Sequence, residues 1–408
     1  MKSQARLPLL LFGAFDRHNF GDLLFPHLMT ALLPEQAFEF DGLAERDLQA
    51  FGGHRVRALS ARKESGPAHL VHAGGELLTC SAYQAAVMLL EPAQAAIAIA
   101  RYDDDPAAAA DWAAQQLGTS RMIPYVAGHN AIAPPGRLIF NAVGGVEWAC
   151  LTTAQRDEVK AALNSAGWVS VRDRLTQGAL RGEGIATTLC PDPAVMVQAC
   201  FGDVILEHQQ QGEVKAMREA FPQGYLACQF SVDFGDDATL DVLAQGLSRV
   251  SAESGLGLAF FRAGAAPWHD DPAHYEKVLR KLPTGTARLF RSLHLWDICA
   301  LIAASRGAVS SSLHGRIVAL AYGLPRVSLT PPQQGERPDK PTAFAETWEP
   351  EAVPRSVTVS RIGPAAMQAL ALPSGLLREN AAELRERYRQ SQAQWAGLVG
   401  APSGRGSY

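Results

Sequence analysis

Short apolar runs alternate with amphipathic stretches along the chain, which is the pattern of βαβ units and a parallel sheet. Residues 7–15 read as a first buried strand. Residues 23–33 follow as a helix, with Pro26 in its first turn, where a missing N–H costs little. Further strands are predicted at 54–60, 69–73 and 137–143, and the last two close on the glycine pairs Gly74-Gly75 and Gly144-Gly145. Thr152 and Gln155 form a capping box that opens a helix running to about Ala166. A strand at 168–171 comes next, then a short helix at 176–180 stopped near Gly182, and 185–189 leads into Pro191-Asp192-Pro193.

Residues 201–222 turn polar, with Gln209-Gln210-Gln211, and the connection between two domains is placed there. The alternation then resumes, with strands at 225–230, 256–262, 287–290, 308–310 and 326–329 and helices at 297–304 and 314–322. Leu377, Ala381, Leu384, Tyr388 and Trp395 recur at helical spacing, which predicts a C-terminal helix laying its apolar face on the body. An oligomer contact is the other use of such a stripe.

A chain of 408 residues exceeds one ordinary domain. The pattern therefore predicts an α/β protein of two Rossmann-like, doubly wound parallel-sheet domains, 1–200 and 201–408, the second carrying the amphipathic C-terminal helix. Ligands in such folds bind beyond the carboxyl ends of the strands, so the strand-to-loop junctions hold the candidate chemistry.

Composition narrows the function classes. The chain is 47% hydrophobic, with 36 Gly and 25 Pro, as a globular protein with many turns would be. Charged residues make up 19%, below the roughly 25% of typical soluble domains, which points to deep burial. A net charge of −4 gives no footprint for nucleic acid or an anionic membrane. The six cysteines are scattered without a CxxC pair, as free thiols in a reducing compartment are, so neither a disulfide framework nor a metal site is expected. Lys2 and Arg6 precede the first apolar run, but that run is short, lacks a cleavage site and passes into Asp16-Arg17-His18. No stretch approaches the roughly 20 apolar residues of a membrane span. The expectation is a cytoplasmic protein with no integral membrane segment.

Seven windows offer candidate chemistry. Ser310-Ser311-Ser312-Leu313-His314-Gly315-Arg316 ends a strand in hydroxyls and begins a helix, so its N–H groups and dipole favour phosphate or carboxylate. Arg316 can add a fork for either anion, and His314 is placed to exchange protons with a ligand. The other reading is a capping serine and a packed histidine. In Ser170-Val171-Arg172-Asp173, Arg172 can clamp an anion or form a structural ion pair capping the next helix. In Asn19-Phe20-Gly21-Asp22, Gly21 allows close backbone approach and Asp22 can cap a helix, so the segment is a ligand loop or a plain turn. Gly74-Gly75-Glu76 and Gly144-Gly145-Val146-Glu147 lack the G-x-G-x-x-G spacing, which disfavours a nicotinamide enzyme. Asp192, on its rigid Pro-Asp-Pro loop, is a candidate base or a turn cap. His269, Asp270, Asp271 and His274 look like metal ligands on paper, but Asp-Asp-Pro is ordinary helix-start chemistry.

Taken in order, Asn19-Phe20-Gly21-Asp22, Ala73-Gly74-Gly75, Ser170-Val171-Arg172-Asp173, Asp192-Pro193 and Ser312-Leu313-His314-Gly315, with Ala319 and Gly323-Leu324-Pro325, resemble the polysaccharide pyruvyl transferase family. The resemblance covers residues 9–330. It implies a GT-B-like fold working in a cleft between its two domains, and transfer of pyruvate from phosphoenolpyruvate to a sugar of a surface polysaccharide or related glycan. The acceptor would be a glycan or lipid-linked glycan, with no cofactor beyond the donor substrate. The family's active-site histidine and arginine fall on His314 and Arg172. Many members carry an arginine two residues before that histidine, where this chain has Ser312, and Arg316 one turn later could replace its charge.

The implied scheme makes His314 the general acid and Arg172 and Arg316 the clamps, with Ser311, Ser312 and Gly315 lining the donor site. Asp192 or Asp22 would be the base. Asn19, Gly21, Asp22, Gly74 and Gly75 would form acceptor or loop contacts. Two other functions fit the same architecture: a nucleotide-sugar glycosyltransferase, and a non-catalytic glycan-binding member of the family.

Overall fold

The computed structural model describes residues 7–62, 66–335 and 337–400. Contacts divide the chain into two units. The first holds the chain up to His18, Asp22–Pro193 and the chain from Arg387 onward; the second holds Asn19–Gly21 and Ala194–Glu386. The main boundary thus falls at 193/194, and the end of the C-terminal helix counts with the first unit.

The first unit is built on an eight-stranded sheet of β1 (Leu9–Phe12), β2 (Phe38–Gly42), β3 (Arg46–Asp47), β4 (Arg55–Ala58), β5 (His69–His72), β6 (Leu138–Val143), β7 (Trp168–Val171) and β8 (Thr188–Leu189). Their order is β3-β4-β2-β1-β5-β6-β7-β8, parallel except for the antiparallel edge pair β3 and β4. β1, β5 and β6 are buried at every residue, as strands covered on both faces must be. The helices are α1 (Phe20–Leu32), α2 (Ala82–Met88), α3 (Pro92–Tyr102), α4 (Pro106–Leu117), α5 (Thr153–Asn164) and α6 (Arg174–Gly182). The capping box predicted at α5 is present: the Thr152 hydroxyl accepts from the Gln155 N–H, and the Gln155 side chain accepts from the Thr152 N–H.

The second unit is built on a six-stranded parallel sheet of β9 (Tyr225–Gln229), β10 (Gly257–Phe260), β11 (Ala287–Leu289), β12 (Gly307–Ser310), β13 (Arg326–Leu329) and β14 (Ser356–Val357), in the order β11-β10-β9-β12-β13-β14. Its helices are α7 (Val197–Gln209), α8 (Gly212–Ala220), α9 (Asp237–Ser254), α10 (Pro272–Lys281), α11 (Leu295–Ala303), α12 (Leu313–Ala321), α13 (Lys340–Trp348), α14 (Ile362–Leu370) and the start of α15 (Ser374–Leu398). Leu240, Leu243, Leu247 and Val250 of α9 bury one face on the sheet with Ile362 and Ala366. The stripe Leu377, Ala381, Leu384, Tyr388 and Trp395 of α15 is buried within the chain itself. Tyr388 Oη accepts a 3.0 Å hydrogen bond from Asn141 Nδ2.

Three expectations change. The segment 201–222 is helical rather than an open connection, because its glutamines lie at the end of α7 and before α8. α1 begins at Phe20, three residues earlier than expected, so Pro26 stands in the second turn. β2 was not expected: its acids break the apolar run, yet Glu39 and Asp41 pair with Arg57 and Arg62 on and beside β4.

Candidate functional site

Strand order locates where a ligand can enter each sheet. In the first, the chain runs from β1 outward to β2 and β4, then returns to the other side of β1 with β5, so the order reverses between β1 and β5. The loop after β1 carries Asp16 and Arg17. Asp16 is fully buried; it accepts from the N–H groups of Leu43 (2.6 Å) and Ala44 (3.3 Å) and from the Tyr125 hydroxyl (2.7 Å). Burial raises its pKa, opposed by Arg17 and these hydrogen bonds. Arg17 Nη1 donates to the Tyr125 hydroxyl at 2.8 Å, its guanidinium lies 5.2 Å from that ring centre, and Nη2 is 4.0 Å from Asp22. Gly74 and Gly75 after β5 both have positive φ, +104° and +89°, which favours glycine, and a Cβ at Gly74 would come 3.0 Å from the Phe25 ring.

Beyond them lies a second polar group. Arg172 follows β7, is 2% exposed, and is held by Glu76 after β5 (2.7 Å) and by the fully buried Asp192 after β8 (3.1 Å). Burial works to lower its pKa, and the carboxylates of Glu76, Asp192 and Asp173 outweigh that and raise it. Asp173 is the N-cap of α6, accepting from the Thr176 N–H at 2.7 Å. The approach is close enough that a Cβ on Gly144 would lie 2.8 Å from Arg172 Nε.

In the second sheet the order reverses between β9 and β12, and the loop after β12 is the Ser311–His314 window. Ser312 is the N-cap of α12, its hydroxyl accepting from the Gly315 N–H at 3.3 Å. Gln229, the last residue of β9, ties the junction together. Its Oε1 accepts from the Ser310 hydroxyl (2.7 Å), the Ser312 N–H (2.9 Å) and the Ser311 hydroxyl (3.4 Å). Its Nε2 donates to Asp270 Oδ1 at 2.8 Å, and Asp270 Oδ2 accepts from the Ala263 N–H. Burial pushes the Asp270 carboxyl up to about 7, against the Ala263 and Gln229 donors. Gly315 has no room for a side chain, since a Cβ there would lie 2.5 Å from Ser310 Oγ.

His314 is 7% exposed and packs edge-on to Phe20, ring centres 6.5 Å apart. The reason for glycine at 21 is direct. A Cβ there would fall 1.9 Å from His314 Nδ1, so the imidazole lies against the backbone of the Asn19–Gly21 segment. That segment is itself fixed: Asn19 Oδ1 accepts from the Gly21 N–H (3.1 Å), and the Phe20 N–H donates to the Ala263 carbonyl (2.9 Å). Asn19 Nδ2 lies 3.3 Å from His269 Nε2, whose Nδ1 is 3.0 Å from the Pro267 carbonyl. Donation by that Nδ1 leaves Nε2 as acceptor for the asparagine amide.

The structure thus joins two sequence windows, Asn19–Gly21 and Ser311–Gly315, around His314, and joins Arg172 with Asp192 elsewhere. Arg316 lies in neither group. It is 1% exposed, with Nε and Nη2 on Glu349 (2.7 and 2.9 Å), Nη1 on Ser328 (3.2 Å) and Nη2 also on the Pro354 carbonyl (2.8 Å). Arg326 shares Glu349 at 2.9 Å. Burial alone would raise the Glu349 carboxyl, and the two guanidiniums outweigh it, leaving it lowered to about 2. Sequence reasoning missed Gln229, Arg17, Tyr125 and Glu349, and gave Glu76 no role beyond its place after the glycine pair. Gln229 alone gave a signal, a polar residue closing an apolar strand at the carboxyl end of the sheet.

Among the described residues no helix is long and apolar enough to cross a membrane. No curated protein matches the chain in sequence. Among solved structures, the chain is similar to the S. aureus MnaA–UDP co-structure, with a TM-score of 0.56 at 10% identity and 99% of each chain covered. It is also similar to the UDP-GlcNAc 2-epimerase from Methanocaldococcus jannaschii, with a TM-score of 0.52 at 8% identity, covering 93% of this chain and 98% of that one. Likeness at such low identity speaks to the fold, which is GT-B-like, mixed α/β with two parallel sheets. Residues 131–332, a span that includes Arg172, Asp192 and His314, match the family model for polysaccharide pyruvyl transferase, which bears out the resemblance read from the sequence.

Proposed function

We propose that the chain transfers pyruvate from phosphoenolpyruvate to a sugar of a surface polysaccharide or related glycan and leaves it as a ketal. The observation that carries this reading is His314 at the reversal point of the second sheet, lying against Gly21 at the start of α12, within the span that matches the family. His314 protonates the methylene carbon of the enol as a sugar hydroxyl adds to the neighbouring carbon, and a base takes the hydroxyl proton. Phosphate then departs with the C–O bonding pair, and a second hydroxyl closes the ketal with loss of its proton. The N–H groups opening α12 and the hydroxyls of Ser311 and Ser312 receive the donor's anions. Arg172 and Arg316 are each tied to carboxylates, so neither offers an open fork to the donor.

The test is phosphate release from phosphoenolpyruvate in the presence of acceptor glycan, measured beside melting temperature. His314→Asn should lower turnover by roughly 10²–10⁴-fold while donor binding changes much less. A variant that melts early yet turns over normally per folded molecule removes His314 from the chemistry. Nucleoside release from a sugar donor, with no phosphate released from phosphoenolpyruvate, would turn the reading toward nucleotide-sugar transfer.

A further inference from the structure

At the edge of the second sheet, three strands from β12 and so about 14 Å along the sheet, a second cluster of chemically able side chains is unused by the proposed reaction. His208 lies in the last turn of α7, His294 is the N-cap of α11, and Asp297 lies in the first turn of α11. One ligand atom from each falls within 4.8 Å of the others. His208 Nδ1 is 2.6 Å from Asp297 Oδ1, and the two imidazoles stack with centres 5.3 Å apart and planes 14° from parallel. His294 Nδ1 is buried and has no hydrogen-bond partner. A buried imidazole nitrogen left so forgoes a hydrogen bond, which a bound cation would offset.

The surroundings hold these groups in place beforehand. Glu213 of α8 accepts from the N–H groups of Arg291 and Ser292, both at 2.8 Å, which fixes the loop after β11. The Ser292 hydroxyl donates to Asp297 Oδ2 at 2.6 Å and accepts from the His294 N–H at 3.1 Å. Asp297 therefore keeps one oxygen bound by an outer partner and offers the other to the cluster, the arrangement that orients metal-ligating carboxylates.

We propose that His208, His294 and Asp297 bind one divalent transition-metal ion, zinc by donor set, which clips the end of α7 to the start of α11. Two imidazoles and a carboxylate suit zinc over magnesium or calcium, which prefer all-oxygen sets. Zinc with ligands at roughly 2.0–2.2 Å spaces them about 3.3–3.6 Å apart in a tetrahedron. The His208–Asp297 pair, 2.6 Å apart, must open by up to about 1 Å, and the widest separation, within 4.8 Å, must close by up to about 1.5 Å. A water completes the fourth position.

Zinc calorimetry on the chelator-treated full chain, free of any histidine tag, should show one ion bound per chain. Zinc at about a hundredfold above its Kd should raise the melting temperature by roughly 5–10 °C, and magnesium should not. The paired variant His208→Gln/His294→Gln should weaken zinc uptake at least tenfold. Ser292→Ala, which leaves every ligand in place, should weaken it about tenfold or more through the loosened carboxylate, so the proposal remains testable if the paired variant misfolds. No stoichiometric uptake, or uptake equal in wild type and variants, overturns the site. Neither outcome bears on phosphate release from phosphoenolpyruvate.

Discussion

The carboxyl ends of the two sheets handle polarity in opposite ways. At the first, formal charges are gathered and paired on the spot: Arg172 with Glu76 and Asp192, and Arg17 with Asp22, while its other nitrogen donates to the neutral Tyr125 hydroxyl. At the second, hydroxyls, one side-chain amide and an imidazole line the reversal point, and Asp270 behind them is held by N–H donors. The second sheet's strong ion cluster, Arg316, Arg326 and Glu349, lies in its interior. An arginine next to a strand end is therefore a poor guide to an anion site when the chain also supplies carboxylates to neutralise it. The start of α12 presents an anion with no ion pair to break, although its Gly315 N–H is already taken by the Ser312 hydroxyl.

The sharpest way to break that comparison is to remove the carboxylates. Glu349 is shared by two buried arginines, so Glu349→Leu leaves both cations uncompensated and should cost about 3–5 kcal/mol in urea unfolding. Glu76→Gln should cost only about 1–2 kcal/mol, because Arg172 keeps Asp192 and the amide can still accept. Equal losses would show that the first sheet's ion group is as structural as the second's.

Asp270 gives a pH signature that the ion clusters do not. Its carboxyl is raised by burial to about 7, so the folded state holds a proton that the unfolded chain releases near pH 4. Folding stability is then highest below the unfolded pKa, falls as pH rises toward 7, and is flat above. Between pH 5 and pH 8 the loss from this group is about 2–3 kcal/mol. Asp270→Asn should flatten that slope in urea midpoints taken at the two pH values. An unchanged slope would mean that the Ala263 and Gln229 donors hold Asp270 ionised throughout.

Most of the fold was legible because parallel strands buried on both faces read as plain apolar runs, as at 69–73, 137–143 and 225–230. β2 was not, since Glu39 and Asp41 become tolerable only once Arg57 and Arg62 arrive from elsewhere in the chain. The Ala-rich α2–α4 hid for a different reason: their buried residues are mostly alanines, which give weak contrast between faces. At the site, Gly21 and His314 were each visible, but their contact spans 293 positions and no local pattern encodes it. Gln229 and Glu349 act entirely through such distant partners.

The smallest effect concerns the hydroxyl that opens α12. Ser312 is an N-cap: its hydroxyl satisfies the Gly315 N–H, one of the four donors a helix start leaves without an internal partner. Ser312→Ala removes that acceptor and should lower stability by about 1 kcal/mol. The Ser312 N–H still donates to Gln229 and Ser310, so the loop should keep its path. If the hydroxyl is only a cap, the variant should bind phosphoenolpyruvate as wild type does, or slightly better, because the Gly315 N–H becomes available to the anion. If the hydroxyl itself contacts the donor, affinity should fall several-fold although one more N–H is exposed. Calorimetry of phosphoenolpyruvate binding beside a urea midpoint on the same variant separates these outcomes, and it decides whether neutral groups at this junction hold the donor or merely hold the helix.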